Sequence, residues 1–174
     1  LALIPLAVHG YLKNQIHIQS TTGSTGAGIG LSETSHFSWR QNNLSIYKPF
    51  THQHLGEIHQ TLKELQPNFA ADISMIPQRG AFTRGIFTSI VLENDMPIES
   101  IITLYSNYYD NHPFVHISEK NIDLKQVVNT NKCIIYLEKH ENKLLIISMI
   151  DNLIKGASGQ AVQNMNLQFG LDET

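Results

Sequence analysis

Two strand-like runs, "KCIIYLEKH" (132–140) and "KLLIISMID" (143–151), meet at Glu141-Asn142-Lys143. So short a connection joins strands only as an antiparallel hairpin, because a parallel pair needs a crossover of about a dozen residues or more. The remaining strand-like runs, "IHIQSTT" (16–22), "ADISMIP" (71–77), "TRGIFTSIVLE" (83–93) and "PFVHIS" (113–118), have to be placed around that hairpin. Helical stretches fall between them. Residues 1–12 are apolar on most faces, with Gly10 near the end. Residues 52–65 carry Leu55, Ile58, Leu62 and Leu65 as one buried stripe, with Thr51 as the expected N-cap and Pro67 as the stop. Residues 97–108 open on Pro97, and 154–169 close the chain. "SHFSWRQNN" and "LSIYKPF" read as short extended pieces joined by a polar turn. Strands adjacent in sequence, interrupted by helices, predict one α/β domain of the α+β type. Its sheet is expected to be mixed and largely antiparallel, with helices on one face.

Composition removes several function classes. A hydrophobic share of 41% over 174 residues supports a packed core. The net charge of −3 and scattered basic residues leave no footprint for nucleic acid. Cys133 is the single cysteine, so no internal disulfide forms and a reducing, cytoplasmic setting is expected. No apolar run reaches the roughly 18 residues of a membrane span. "LALIPLAVHGYL" lacks the basic leader and small-residue cleavage site of a signal peptide. Beginning inside an apolar run without methionine, the sequence is expected to be cut from a longer protein.

"FTHQHLGEIH" (50–59) concentrates three histidines and a glutamate. His54 and Glu57, at i and i+3, share a helix face, whereas His59 lies about 140° round from His54. His52 sits at the helix entrance. Two or three groups can therefore meet at a helix N-terminus, though not in the HExxH pattern of zinc proteases. Metal binding, idle surface histidines and acid/base or anion-binding work all fit these residues. The last gains from the free N–H groups and dipole at a helix start, and from histidine's pKa near 6.5.

"GSTGAGIG" (23–30) holds four glycines, as a phosphate-cradling loop does, but no Gly-Lys-Ser/Thr follows it. A plain flexible loop is the alternative. In "DNLIKGASGQAVQNMN" (151–166) small residues allow close packing by a neighbouring helix or a flat ligand. Asn152, ahead of that helix, can donate to and accept from a carboxamide.

Taken together, "LALIPL", "TTGSTGAG", "HQHLGEI", "RGIFTSI", "YYDNHPFV", "TNKC" and "DNLIKGASGQAVQNMN" resemble the N-acetyl-gamma-glutamyl-phosphate reductase family in content and order. The likeness covers the family's second half. That half is a catalytic and dimerisation domain of the glyceraldehyde-3-phosphate-dehydrogenase-like type, here 1–174, and it belongs to a two-domain reductase. The resemblance implies a homo-oligomer, dimer or tetramer, using NADP and a small acyl-phosphate substrate, with neither nucleic acid nor membrane as partner and no metal. It implies reduction of N-acetyl-gamma-glutamyl phosphate to the semialdehyde and phosphate in arginine biosynthesis. The reaction runs through a thioester on a cysteine upstream of "LALIPL". Cys133, in "TNKC", is instead expected in the core, and this chain alone is expected to be inactive.

By the same resemblance His52, then His54, is the acid/base that serves the thiohemiacetal oxygen. Glu57 orients a histidine or binds the substrate's amino-acid end. Arg84 and Arg79, with Arg84 preferred, hold carboxylate or phosphate, and Ser24 touches substrate. Thr25 and Gly26 approach the cofactor, and Asn152 holds its nicotinamide carboxamide. Ile29-Gly30 after "GAG", and Leu55-Gly56 before Glu57, depart from the family's habit of a basic residue and of Thr-Pro. Both departures leave the N-acyl group open between acetyl and a bulkier group such as succinyl. Two rival readings stand beside the reductase: a non-catalytic dimerisation module, and a hydrolase with a metal on His52, His54 and Glu57.

Overall fold

The computed structural model describes residues 1–174. Its sheet is built from β1 (Ile16–Thr22), β2 (Ser45–Ile46), β3 (Ile73–Arg79), β4 (Ile86–Glu93), β5 (Val115–Ser118), β6 (Cys133–His140) and β7 (Lys143–Ile150). The seven strands lie in the order β2-β3-β1-β4-β7-β6-β5. β1/β3 and β5/β6 are parallel and the other four pairs antiparallel, so the sheet is mixed and largely antiparallel, as the sequence predicted. The β6–β7 hairpin turns on Glu141 and Asn142 alone, since His140 already pairs with Lys143. Glu141 takes the left-handed φ of 52° that so tight a turn demands.

Side chains alternate across a strand, and here the alternation separates two faces. Ile16, Ile18, Ile73, Met75, Ile90, Leu92, Ile135, Leu137, Leu144 and Ile146 project to one side and join the main core. On it lie α1 (Ile4–Val8), α3 (His54–Leu65) and α4 (Ile98–Tyr109), with Leu6, Ala7, Leu62, Ile101 and Tyr105 pointing inward. Each fully buried large apolar side chain contributes about 1.5–3 kcal/mol. Hydroxyls fix the helices as well: Tyr105 donates to the Ala2 carbonyl and Tyr109 to that of Leu1, both at 2.6 Å. Gln66, buried at the end of α3, exchanges two hydrogen bonds with the Leu12 backbone. The opposite face carries only a small cluster, in which Ile122 and Val127 from the 119–130 connection cover Ile147 and Met149. His17, Gln19 and Val91 remain exposed on it.

Several local expectations change. The first helix spans only Ile4–Val8, because Pro5 has no N–H to continue a helix upstream and Gly10 ends it at φ 72°. Thr51 does not cap α3. Gln53 occupies the N-cap position, and the His52 ring accepts the His54 N–H. "SHFSWR" is not extended: α2 (Phe37–Arg40) forms there, capped by His36. The cause is Arg40, a buried guanidinium that donates to the Arg79 and Thr34 carbonyls and to Ser45 Oγ. Only Ser45–Ile46 of "LSIYKPF" is a strand. The closing helix splits into a wide π-type turn, Ile154–Ser158, and α5 (Gly159–Gln168). Cys133 is fully buried, as expected of a core residue, and burial pushes its thiol pKa up.

Candidate active site

The C-terminal ends of β1 and β3, the 3₁₀ turn Ser24–Ala27, the segment 47–54 and the turn after β7 enclose a cleft of about 510 Å³. His52, His54, Arg79, Thr25, Gly26 and Asn152 line it, so the structure brings six of the candidates into one place. Tyr47, Lys48 and Gln53 join them and were not singled out in the sequence. Lys48 and Phe50 both have left-handed backbones, at φ 43° and 58°, which side chains rarely adopt outside turns and functional sites. Nothing in the letters "YKPF" signals that geometry.

The two histidine rings meet edge to face, with centroids 4.6 Å apart, and Tyr47 packs edge-on to His52 at 5.5 Å. His52 Nδ1 accepts the His54 backbone N–H at 3.3 Å, so the neutral ring carries its proton on Nε2. Burial lowers the His52 pKa below the ordinary histidine value, His54 and Lys48 lower it further, and Glu57 opposes them. Glu57 itself is exposed on the first turn of α3. It lines a neighbouring cleft of about 330 Å³ that shares Ser20 and Met75 with the first.

The glycine loop is a strut rather than an open cradle. Its Gly23, Ser24 and Thr25 N–H groups donate to the carbonyls of Gly85, Phe82 and Thr83, and those of Gly26 and Gly28 donate back within the turn. Ser24 lies in this turn and is not part of the cleft lining. Asn152 locks the same assembly: Gly85 N–H donates to its Oδ1 at 2.6 Å, and its Nδ2 donates to Thr25 Oγ1 at 2.9 Å. One amide hydrogen and one oxygen lone pair of Asn152 remain for a ligand.

Of the two arginines, Arg79 lines the cleft and Arg84, the one the sequence favoured, does not. Arg84 is committed elsewhere, with Nε 3.4 Å from Asp151 Oδ2 and Nη1 donating to Asn129 Oδ1, and it does not line the cleft. Asp151 is wholly buried and accepts the N–H groups of Asn129, Leu153 and Ile154. Burial pushes its pKa up, but those N–H groups and Arg84 outweigh it and hold the carboxyl below its ordinary value. Arg79, on the helix-bearing face of β3, is the arginine that reaches the cleft. No three His, Cys, Asp or Glu side chains converge as metal ligands do.

Residues 1–152 match the family described as semialdehyde dehydrogenase, dimerisation domain. The chain is 60% identical over all 174 residues to the N-acetyl-gamma-glutamyl-phosphate reductase of Phocaeicola vulgatus, covering 54% of that protein. It is 59% identical to the protein of that name in Flavobacterium johnsoniae, again covering 54% of it. The chain thus spans about half the length of the curated relatives it matches. Among solved structures it is similar to aspartate semialdehyde dehydrogenase II from Vibrio cholerae, with a TM-score of 0.69 over 95% of this chain and 57% of that one. Identity there is 12%, so the likeness is one of fold. A mixed seven-stranded sheet with α1, α3 and α4 on one face, matched in sequence from its first strand through its last, places this chain in the semialdehyde dehydrogenase dimerisation-domain family.

Proposed function

We propose that this chain is the catalytic and dimerisation half of an NADPH-dependent N-acetyl-gamma-glutamyl-phosphate reductase, a cytoplasmic enzyme of arginine biosynthesis. The observation that carries this reading is the 60% identity along the whole chain to a protein of that name. A cleft that gathers two histidines, a lysine and an arginine suits an anionic acyl phosphate.

The division of labour follows from the rings. His52 presents Nε2–H to the oxygen on which charge develops, and its lowered pKa keeps the ring neutral for that role. Protonating Nδ1 would sacrifice the contact with the His54 N–H. His54 has no such tie and is the ring that gives up and regains the proton. Asn152, with its spare donor and acceptor, is placed to hold a carboxamide, and Thr25 positions it. The N–H groups of Gly23, Ser24, Thr25, Gly26 and Gly28 already have acceptors within the protein, which favours the nicotinamide end over the phosphates as this chain's share of NADPH. When bound, that cofactor supplies hydride.

The uncovered sheet face around His17, Gln19 and Val91 is the surface through which two copies associate. The test is phosphate-dependent NADP reduction with N-acetylglutamate semialdehyde, run on this chain alone and on the protein at the full length of its relatives. Activity confined to the longer protein supports the reading. Activity in the isolated chain overturns the upstream-cysteine mechanism, and activity in neither removes the N-acetyl substrate.

A further inference from the structure

Arg79 is a charged side chain without a countercharge. The chain's two ion pairs join Arg84 to Asp151 and His140 to Glu138, so no carboxylate lies within 4.0 Å of the Arg79 guanidinium. Nη1 donates to Thr34 Oγ1 at 3.3 Å, and the group sits 4.6 Å above the Tyr47 ring. Nε is buried and has no hydrogen-bond partner, and Nη2 donates to no protein acceptor either. Those two nitrogens form the side-on edge of the guanidinium, the fork that matches two oxygens of a carboxylate or phosphoryl group. A buried, unpaired donor such as this Nε is costly unless something outside the protein satisfies it.

The surroundings hold that edge in place. The Arg79 carbonyl accepts from Arg40 Nη1 at 2.7 Å, and Arg40 also grips the Thr34 carbonyl, so Thr34 and Tyr47 clamp the guanidinium from two directions. Lys48 lines the same cleft and adds a second positive charge.

We propose that the Nε–Nη2 edge of Arg79 is the oxyanion-binding element of the cleft, taking two oxygens of the bound acyl phosphate. This rests on the reductase reading for its ligand. The oxygens belong either to the phosphoryl group or to a carboxylate on the amino-acid or N-acyl part of the substrate. The experiment separates these sources. Calorimetric titration of the full-length protein with inorganic phosphate, N-acetylglutamate and N-succinylglutamate is compared among wild type, Arg79→Met and Arg79→Lys. At least one ligand should bind 10-fold or more weakly to Arg79→Met, with Arg79→Lys intermediate because an ammonium has no fork. Loss with phosphate alone assigns the phosphoryl group. Loss with both glutamates assigns the amino-acid carboxylates, and loss with N-succinylglutamate alone assigns the acyl end. Should Arg79→Met fail to fold, Arg79→Lys, which keeps the charge and the stem, carries the comparison. All three affinities within twofold of wild type in a folded variant overturn the proposal. Arg79-dependent binding in a protein that turns over no acyl phosphate keeps the anion site and removes the reductase. Turnover with unchanged KM and unchanged affinities in Arg79→Met does the reverse.

Discussion

Asp151 is the residue whose loss should be felt most widely, and Asp151→Asn isolates its charge from its shape. The wild-type Oδ1 accepts from Leu153 and Ile154, and the variant's amide oxygen can keep both contacts. Oδ2 accepts from Asn129 at 2.8 Å and faces Arg84 Nε at 3.4 Å, and an NH₂ group there turns donors toward donors. Losing a hydrogen bond to a charged group costs about 1.5–3 kcal/mol. Unpairing a fully buried ion costs about 3–5 kcal/mol, but the Arg84 side chain is 29% exposed and recovers part of this from water. Together these give about 3 kcal/mol, or a fall in Tm of about 6–12 °C for a domain of this size. Urea titration at pH 7 and a thermal scan measure it.

The pH dependence supplies a second readout. The folded carboxyl titrates below its unfolded pKa of about 3.9, so its stabilisation is full above that pH and is lost as pH falls through the depressed folded value. Wild type should therefore converge on Asp151→Asn as the solution is acidified. A difference below about 0.5 kcal/mol at pH 7, the range of ordinary surface changes, would refute the view that this carboxylate ties Arg84 and Asn129 to the turn after β7.

Four further outcomes follow from the same geometry. In the full-length protein, His54→Ala and His52→Gln should each lower kcat by about 10²–10⁴-fold with steady-state substrate binding retained, as read from NADPH oxidation. Because burial and its cationic neighbours lower the His52 pKa, any stability tied to it persists above the unfolded pKa of about 6.5 and declines as pH falls; His52→Gln should flatten that part of the Tm profile. Gly85 has φ 110°, and a Cβ there would lie 2.7 Å from Leu124 Cδ1, so Gly85→Ala should destabilise by about 1–3 kcal/mol in a denaturant titration. Val91→Arg, on the uncovered sheet face, should shift the oligomer toward monomer in sedimentation velocity, while a charge-neutral Val91→Thr should not.

How far the letters could be read depended on whether local chemistry alone decided the outcome. The hairpin was legible because two long β-branched runs and a short polar link admit one arrangement, and the histidine pair because it falls at a helix start. The region 32–46 was not. Its conformation is set by Arg40 reaching β3 and the Thr34 carbonyl, contacts that no spacing encodes. Which of Arg79 and Arg84 lines the cleft was hidden for a related reason. Their motifs look alike, but Asp151, 67 positions on from Arg84, pairs with one of them in the folded chain.

The glycine loop shows the same limit at a single feature. Glycine is required where a backbone must come close to something, and sequence does not say whether that something is a ligand or another strand. At Gly23 a Cβ would sit 2.5 Å from the Thr83 carbonyl oxygen, and at Gly26 it would sit 2.8 Å from Thr22 Oγ1. The close approach is therefore protein to protein. The fate of the N–H groups over Gly23–Gly28 points the same way, since a loop that cradles phosphate keeps its donors free, and Gly23, Ser24, Thr25, Gly26 and Gly28 give theirs to residues 82–85 and to their own turn. By fixing Thr25 the loop orients the Asn152 amide, and by joining β1 to the segment before β4 it holds part of the cleft wall. Gly23→Ala should then lower the melting temperature, whereas a cradle would lose phosphate affinity with its melting temperature intact.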